Sequence, residues 1–219
     1  MISIIIASYN DYDFLKKCLP SCLKQDIEKE IILVDDCPDI EVDQEILNFI
    51  EENSVIYIKN QKNMGLGGSR NIGVNKSKYD FYLPLDSDDF LFDNALDEVC
   101  KQIDDNHDIF YANLLNSATQ SVAIPFTGEI NRNVLLRNNP IFSCSVIRKN
   151  AWINSGGYNE EHIMQYDDWN FWCKCFKTGA KFKYVPVDLF YHTDRSGGMC
   201  RRMEHDFDVY VKMAIKDLL

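Results

Sequence analysis

The sequence predicts an α/β fold with a doubly wound, mostly parallel central sheet and helices on both of its faces. Three observations predict this class. Apolar runs of strand length alternate with segments of helical spacing through the first half of the 219 residues. The runs are continuous, which is typical of parallel strands covered on both faces. Several of them end in polar clusters, at the positions where ligand-binding crevices form in such sheets.

The regular alternation lies in the first half of the chain. The predicted strands are 2–7, 30–34, 54–58, 81–85 and 109–113, and the predicted helices are 11–25, 41–52, 65–77 and 94–104. Pro20 is expected to kink or break the first helix. After about residue 114 the pattern changes to short strands near 122–125 and 144–147, an aromatic helix at 167–178, a strand at 182–185 and a terminal helix at 205–219. We expect this part to extend the same sheet and cover its crevice, so that residues 1–219 form one domain.

Composition excludes several classes of protein. Apolar residues make up 46% and charged residues 26%, as in ordinary globular proteins. The formal charge of −11 argues against binding to nucleic acid. No run approaches the roughly 18 apolar residues of a membrane span, and no basic segment precedes the apolar start as in a signal peptide, while contact with a membrane surface stays open. The eight cysteines show no paired CxxC spacing, which favours free thiols in the cytoplasm.

Carboxylates follow two of the predicted strands. Asp86, Asp88 and Asp89 lie within a run of four residues after the fourth strand, and Asp35 and Asp36 follow the second. Right-handed crossovers bring these strand ends to one edge of the sheet. Carboxylates this close raise one another's pKa, and Mg²⁺ or Mn²⁺ relieves the repulsion while also binding a diphosphate. The cluster therefore indicates a metal-assisted phosphate site, although helix capping explains the same residues.

Two further features belong to this edge. Tyr9 ends the first strand and offers a ring on which a nucleobase can stack, while Asp36 can accept a hydrogen bond from a base or a ribose. The glycine-rich segment 65–73 lacks the last glycine of a dinucleotide fingerprint and the lysine of a P-loop. Arg70 within it is a candidate phosphate ligand, and its glycines are equally suited to packing the helix on the sheet.

A second acidic pair, Asp167 and Asp168, begins the aromatic helix beside Trp169. Acidic residues are favourable at a helix N-terminus, so a structural role is open. A carboxylate beside large rings can instead act as a general base near a sugar. His192 and Arg195, after the last strand, add an imidazole and a cation.

Taken together, six segments in this order resemble the family 2 glycosyltransferases of the GT-A fold. They are SIIIASYN at 3–10, ILVDD at 32–36, NMGLGGSRNIG at 63–73, LDSDD at 85–89, GGYNE at 156–160 and DDW at 167–169. Each motif alone is weak, whereas the ordered set covers nearly the whole chain. The resemblance implies transfer of a sugar, with inversion, from a nucleotide-diphosphate sugar to a hydroxyl of a glycan or other acceptor. A UDP-sugar is the donor that it favours. It also implies a nucleotide-binding half at 1–113 and an acceptor-side half at 114–219.

The same resemblance assigns roles to individual residues. Asp168 falls on the catalytic base, and Asp88, with Asp86 beside it, falls on the DxD motif that holds Mn²⁺ or Mg²⁺. The implied donor-binding residues are Ala7, Tyr9, Asp36, Arg70 and Asp86, the implied acceptor-side residues are Tyr158, Glu160, Asp167 and Trp169, and His192 is a further candidate metal ligand. The family's acidic pair begins with Glu, so Asp167 is a mild departure that leaves the base in place.

Two other functions share parts of this pattern. A nucleotidyltransferase has a related sheet with acidic strand ends, but it brings a basic glycine-rich loop after the first strand. Here that position is occupied by residues 8–13, which are acidic and contain no glycine. A sugar-nucleotide-binding protein with weak or no catalysis would carry the same motifs. Hydrolysis of a sugar nucleotide in the presence of Mn²⁺ distinguishes an enzyme from such a binder.

Overall fold

The computed structural model describes residues 1–161, 166–194 and 207–219. The strands are β1 (Ile2–Ser8), β2 (Lys29–Asp35), β3 (Ile56–Lys59), β4 (Phe81–Asp86), β5 (Phe90–Leu91), β6 (Ile109–Asn116), β7 (Ser121–Ala123), β8 (Val146–Arg148) and β9 (Phe182–His192). The helices are α1 (Tyr12–Leu23), α2 (Gln44–Glu52), α3 (Gly65–Lys76), α4 (Ala95–Cys100), α5 (Arg132–Leu135), α6 (Lys149–Ser155), α7 (Asp167–Lys177) and α8 (Phe207–Ile215), and a short 3₁₀ turn, Lys216–Leu218, follows α8.

These strands form one sheet that is parallel over its first part. Eight of them follow the order β3-β2-β1-β4-β8-β6-β9-β5, and β7 pairs with β6. The strands β3, β2, β1 and β4 are parallel because a helix crosses back between each strand and the next along the chain. Farther along, β8 is antiparallel to β4 and β6, β6 and β9 are parallel, and β5 and β7 are antiparallel to their partners. The predicted α/β class is confirmed, and the second half continues the same sheet with mixed strand directions.

Each face of the sheet covers a separate apolar core, because successive residues of a strand point to opposite faces. Ile2, Ile4 and Ile6 of β1 belong to the core on one face, whereas Ile5 belongs to the core on the other. Helices α1, α2 and α4 contribute to the first core, and α3 and α7 contribute to the second. Helices therefore cover both faces, as the sequence predicts.

Two prolines lie inside strands without ending them. Pro186 lies in β9, where the register of the pairing with β6 shifts. Proline is tolerated at such an irregularity because its missing N–H is not needed for the ladder. For this reason β9 continues to His192, well past the predicted end at residue 185. Pro84 lies in β4 beyond the two residues that pair with β8.

The other differences concern short elements and element ends. Helix α1 continues through Pro20 to Leu23, whereas α4 ends at Cys100 and not at residue 104. The elements β5, α5 and α6 were not predicted, since they are too short to show a period. Strand β6 spans Ile109–Asn116 and therefore crosses the boundary expected between the two halves of the chain, 1–113 and 114–219. Residues 205 and 206 of the predicted last helix lie outside the described residues. Among the helices that the structure describes, none is both long and apolar enough to span a membrane.

Candidate functional site

The carboxyl ends of β2, β1 and β4 lie side by side at one edge of the sheet, here called the donor edge. In the parallel register Ala7 pairs with Asp86, and Ser8 pairs with Asp35. Neighbouring strands lie about 4.8 Å apart, so the ends of β2 and β4 are separated by roughly 10 Å with β1 between them. Tyr9 follows β1 directly and is 55% exposed. The structure thus brings these strand ends together as the sequence predicts.

A buried arginine connects the donor edge to the start of α7. Arg70 extends from α3 with its side chain 3% exposed, and it donates to Asp86 Oδ1 at 2.5 Å and to Asp167 Oδ2 at 2.7 Å. The centre of its guanidinium lies 5.5 Å from the centre of the Tyr158 ring. Burial by itself would lower the pKa of Arg70, but Asp167 and Asp86 raise it above its usual value. One permanent cation therefore holds two carboxylates from distant parts of the chain.

This geometry corrects the phosphate contact predicted for Arg70. Both ends of the guanidinium are bound to carboxylates, and the side chain is almost inaccessible, so it does not face a phosphate. The glycine-rich motif indicated that a cation belongs at this edge. It contained no signal that Asp167, 97 residues along the chain, would be its partner. The flat guanidinium suits this position because it can donate to two carboxylates at once.

Asp168 lies in the first turn of α7 and is half-buried. Its Oδ1 accepts the backbone N–H of Trp169 at 2.8 Å, and its Oδ2 accepts an Nδ2–H of Asn139 at 2.8 Å. Burial and then the charge of Asp167 raise the pKa of Asp168 to about 6, although Asn139 and Arg70 act in the opposite direction. The carboxylate is ionised at neutral pH and is a stronger base than an ordinary aspartate.

The loop between α5 and β8 (residues 136–145) supplies two contacts that the sequence interpretation did not single out. Asn139 donates to the carboxylate at the start of α7, and Ser143 Oγ donates to Asp86 Oδ2 at 3.2 Å. The carbonyl oxygen of Pro140 accepts a backbone N–H at 3.0 Å, which anchors the loop between these contacts. The sequence offers little to identify these residues, because Asn139 ends a polar run at 131–139 and neither Asn nor Ser is specific to one reaction.

Asp36 lies at the donor edge and anchors the N-terminus of α3. Its oxygens accept hydrogen bonds from Asn60 Nδ2 at 2.8 Å and from the backbone N–H groups of Met64 at 2.7 Å and Gly65 at 2.8 Å. The side chain of Asp35 accepts hydrogen bonds from two tyrosine hydroxyl groups. The place of Asp36 agrees with the expectation, and its contact with a nucleobase stays a prediction.

The turn after β4 brings together acidic residues and the end of β9. Asp89 is buried and accepts the backbone N–H of Thr193 at 2.9 Å, and His192 Nδ1 lies 3.2 Å from the same carboxylate. The hydrogen bond with Asp89 is the main reason that the pKa of His192 is raised. The structure thus pairs His192 Nδ1 with Asp89, and the role of His192 as a metal ligand stays a prediction. Arg195 lies outside the described residues.

The acidic turn after β4 offers carboxylate oxygens as donors for a metal ion. Within the described ranges, no group of three or more His, Cys, Asp or Glu side chains is arranged to hold a metal ion. The oxygens of Asp86 bind Arg70 and Ser143, while Asp88 is half-buried at the same turn. Mg²⁺ and Mn²⁺ commonly take one or two carboxylates and complete their coordination with substrate phosphates and water. The residues therefore fit a cation that binds together with a diphosphate.

Three of the four residues predicted on the acceptor side are buried, so their predicted ligand contacts are corrected. Trp169 is 3% exposed, and its Nε1–H donates to the carbonyl oxygen of Leu135 at 2.8 Å. Tyr158 is 3% exposed and stacks on Phe171, with ring centres 4.1 Å apart. Asp167 is paired with the buried arginine. These side chains belong to the packing beneath the site surface, because the inner face of α7 packs on the sheet.

The loop at 156–160 is fastened to α3 by Asn71. Asn71 Oδ1 accepts the backbone N–H of Tyr158 at 2.9 Å, and its Nδ2 donates to the exposed side chain of Glu160 at 3.0 Å. Gly67 allows the close approach, since a Cβ there would lie 2.0 Å from the Asn159 carbonyl oxygen. Gly67 therefore serves packing, one of the two roles that the sequence left open for these glycines. Of the four predicted acceptor-side residues, Glu160 is the one at the surface.

Comparison with known proteins finds glycosyltransferases among the proteins similar to this chain. Residues 3–164 match the family described as Glycosyl transferase family 2. A protein of Methanocaldococcus jannaschii named an uncharacterized glycosyltransferase is 24% identical over 201 residues, which cover 86% of this chain and 69% of that protein. The Escherichia coli UDP-Glc:alpha-D-GlcNAc-diphosphoundecaprenol beta-1,3-glucosyltransferase WfaP is 25% identical over 197 residues, which cover 87% of this chain and 76% of that protein.

A solved structure shows the same fold. The structure of Staphylococcus aureus TarS 1-349 in complex with UDP-GlcNAc has a TM-score of 0.80 and 20% identity, and the match covers 100% of this chain and 66% of that chain. At this identity the likeness shows the fold, which is of the expected GT-A type. The curated TarS sequence, a poly(ribitol-phosphate) beta-N-acetylglucosaminyltransferase, is 24% identical, and the match covers 95% of this chain and 37% of that protein. The chain thus spans little more than a third of full-length TarS.

Proposed function

Because this chain belongs to glycosyl transferase family 2 and is a glycosyltransferase, we propose that it moves a sugar from a UDP-sugar to a hydroxyl of a glycan or related acceptor, with inversion at the anomeric carbon. One observation carries this proposal. The contacts from Asp86 through Arg70 to Asp167 set Asp168 one residue beyond a carboxylate that is fixed to the donor edge. UDP as the nucleotide is supported by the UDP-GlcNAc in the matching TarS structure and by the printed name of WfaP.

The donor is proposed to lie across the ends of β1, β2 and β4. The exposed ring of Tyr9 offers a face on which the base can stack. Ala7 and Asp86 are partners across β1 and β4, so they point to the same face of the sheet, and Asp36 holds the adjacent end of α3. This arrangement supports a donor whose nucleoside lies at β1 and β2 and whose diphosphate points toward the acidic turn.

A divalent cation, Mn²⁺ or Mg²⁺, is proposed to bind with the donor. Asp88 would hold it, with Asp86 beside it, and the donor diphosphate would complete its coordination. When bound, such an ion neutralises charge that develops on the leaving diphosphate. The formal charge of −11 supports this proposal, because the protein otherwise repels a diphosphate.

Asp168 is proposed to be the general base. The acceptor oxygen bonds to the anomeric carbon while its proton passes to an oxygen of Asp168. The bond from the anomeric carbon to the diphosphate oxygen breaks, and UDP leaves with that electron pair. Attack opposite the leaving group inverts the configuration. With a pKa of about 6, Asp168 is ionised near pH 7, and general-base catalysis contributes roughly 10²–10⁴ in rate.

The cytoplasm is proposed as the compartment. Seven cysteines lie within the described residues, and all of them are free thiols, most of them buried. Free thiols persist in a reducing compartment, whereas exported proteins commonly pair them.

An assay of UDP release and sugar transfer tests the proposed function. UDP-GlcNAc and UDP-Glc are supplied with Mn²⁺ or Mg²⁺ and a panel of glycan acceptors. Asp168→Asn should retain donor binding by calorimetry but lose about 10²–10⁴ in transfer rate. Asp88→Asn should weaken donor binding that depends on the metal.

Asp105→Asn serves as the matched control, because Asp105 is an exposed aspartate in the segment between α4 and β6. It should leave both binding and transfer unchanged. Turnover of Asp168→Asn within tenfold of the wild type would remove Asp168 from the role of base. An unchanged metal titration in Asp88→Asn would contradict the cation site, and donor binding without transfer to any acceptor would indicate a binding protein.

A further inference from the structure

The general base is held by a residue from outside its own helix. Asn139 lies between α5 and β8, and its Nδ2–H donates to Asp168 Oδ2 at 2.8 Å. We propose that Asn139 is a positioning residue for the transfer reaction, because its amide holds the Asp168 carboxylate in one orientation and stabilises the ionised form. This inference rests on the proposed role of Asp168 as the base.

Two hydrogen bonds determine the orientation of the carboxylate. The bond from the Trp169 backbone to Oδ1 belongs to α7 and moves with that helix. Among the described residues, Asn139 supplies the one hydrogen bond that reaches Asp168 from another element. Each carboxylate oxygen has a further lone pair, so either can still accept a proton from a substrate hydroxyl. Asn139 therefore fixes Asp168 relative to the loop, and the Asp168 oxygens keep lone pairs that can accept the proton of a substrate.

The second polar atom of Asn139 shows which way the amide is turned. Its Oδ1 is buried and has no hydrogen-bond partner in the part of the chain that the structure describes. A buried acceptor without a partner is unfavourable, and turning the amide over would instead direct Oδ1 at a carboxylate oxygen. The observed orientation instead directs the Nδ2–H at Asp168, where a donor stabilises the ionised carboxylate.

The loop that carries Asn139 is itself well anchored. The carbonyl oxygen of Pro140 accepts the backbone N–H of Phe126 at 3.0 Å, and Ile141 is 1% exposed. Ser143, on the same loop, donates to Asp86 at the donor edge. The amide is thus presented by a fixed backbone that also contacts the donor side.

Charged groups reach Asp168 from two elements. Asp167, on α7, disfavours the ionised form, and Arg70, from α3, favours it. Arg70 is already shared between Asp86 and Asp167, so its effect on Asp168 is limited. Asn139 adds a neutral donor that opposes the repulsion from Asp167 without introducing another charge.

The test uses the pH dependence of kcat/KM for sugar transfer. Asn139→Ala should move the acidic limb upward by about one pH unit, since the lost hydrogen bond to a charged group is worth about that much. Asn139→Asp should move it further, because a second carboxylate would face Asp168. Above the shifted limb Asn139→Ala should recover only part of the lost rate, because the carboxylate is then ionised but no longer held in one orientation, and the donor Kd should stay within twofold.

The matched controls are Asn138→Ala and Asn138→Asp, because Asn138 is the exposed neighbour on the same loop. They should leave the profile unchanged. The melting temperature of each variant is measured, and Asn139→Asp, which retains the size of the side chain, provides the test if Asn139→Ala does not fold.

Three outcomes would overturn the inference. One is an equal loss of rate at every pH, which indicates a purely structural role. Another is an unshifted limb in both Asn139 variants while Asp168→Asn abolishes transfer, in which case the proposed base stands and Asn139 alone is misassigned. The third is substantial turnover of Asp168→Asn, which removes the base and therefore also its positioning residue.

Discussion

Asp36 at the donor edge and the acidic pair at the start of α7 depend on different kinds of hydrogen-bond donor. At the donor edge, backbone N–H groups at the beginning of α3 bind Asp36. At the start of α7, Asp167 and Asp168 are held by the side chains of Arg70 and Asn139 from distant segments. A substitution other than to proline leaves a backbone donor in place, whereas any substitution of Arg70 or Asn139 removes the donating side chain. Single substitutions elsewhere in the chain can therefore disturb Asp167 and Asp168 more readily than Asp36.

The start of α7 also carries an electrostatic cost. Burial raises the pKa of Asp167, and burial together with the charge of Asp167 raises that of Asp168 to about 6. Two adjacent carboxylates lie in a poorly solvated place, and Arg70 directly pairs with only one of them. Such a cost is common at functional sites, where a group is held in a form suited to chemistry and not to stability.

The largest expected effect follows from removing the shared cation. Arg70→Met would leave Asp86 and Asp167 without their partner and should lower the free energy of unfolding by about 3–5 kcal/mol. Urea denaturation near neutral pH measures the change. Lys16→Met removes the ion pairs of Lys16 with Asp13, Asp43 and Glu45 near the surface and is the control, with a much smaller expected loss. Similar losses in the two variants would contradict the special importance of the buried bridge.

A smaller effect of opposite sign is expected for Asp168→Asn. Its folded-state pKa is raised from 3.8 to about 6, so the wild type loses stability as the pH rises through this interval. The asparagine variant has no such loss and should be more stable by about 1–3 kcal/mol near pH 7.5, but not near pH 3.5. Melting temperatures at several pH values measure the difference. A stabilisation that does not vary with pH would argue against the raised pKa.

The smallest effect on the fold is expected at the donor edge itself. Tyr9→Ala should weaken donor binding by about tenfold, the lower end of what base stacking contributes, and should not change the melting temperature. Calorimetry with UDP measures the affinity. Tyr79→Ala is the control, because Tyr79 precedes the start of β4 at the opposite end of that strand. An equal loss of affinity in both variants would remove Tyr9 from the donor site.

The part of the site that was predictable from sequence is the part that follows strands. Apolar runs predicted β1, β2 and β4, and the polar residues after them had to meet at one edge because the strands are parallel. Asp86, Arg70 and Asp167 were each identified as site residues, but not as partners of one another. Their contacts join segments that only the packing of α3 and α7 on one face of the sheet brings together.

Other residues could not be assigned from sequence for a different reason. An indole or phenol beside an acidic pair is equally typical of a ligand contact and of a core, and burial decides for the core in Trp169 and Tyr158. Asn139 has an ordinary residue type in a polar run, and its partner lies 29 residues away. No local pattern distinguishes such an amide from one exposed to solvent.

By itself, the amino-acid sequence determined the α/β class, the strand ends that form the donor edge and the acidic residues at that edge. It could do so because apolar periodicity and strand direction depend on short stretches of chain. The tertiary structure alone decided which two carboxylates share Arg70, which carboxylates have a raised pKa and which aromatic rings are inaccessible. Those properties depend on burial and on distances between remote side chains, which are settled only when the two faces of the sheet are packed.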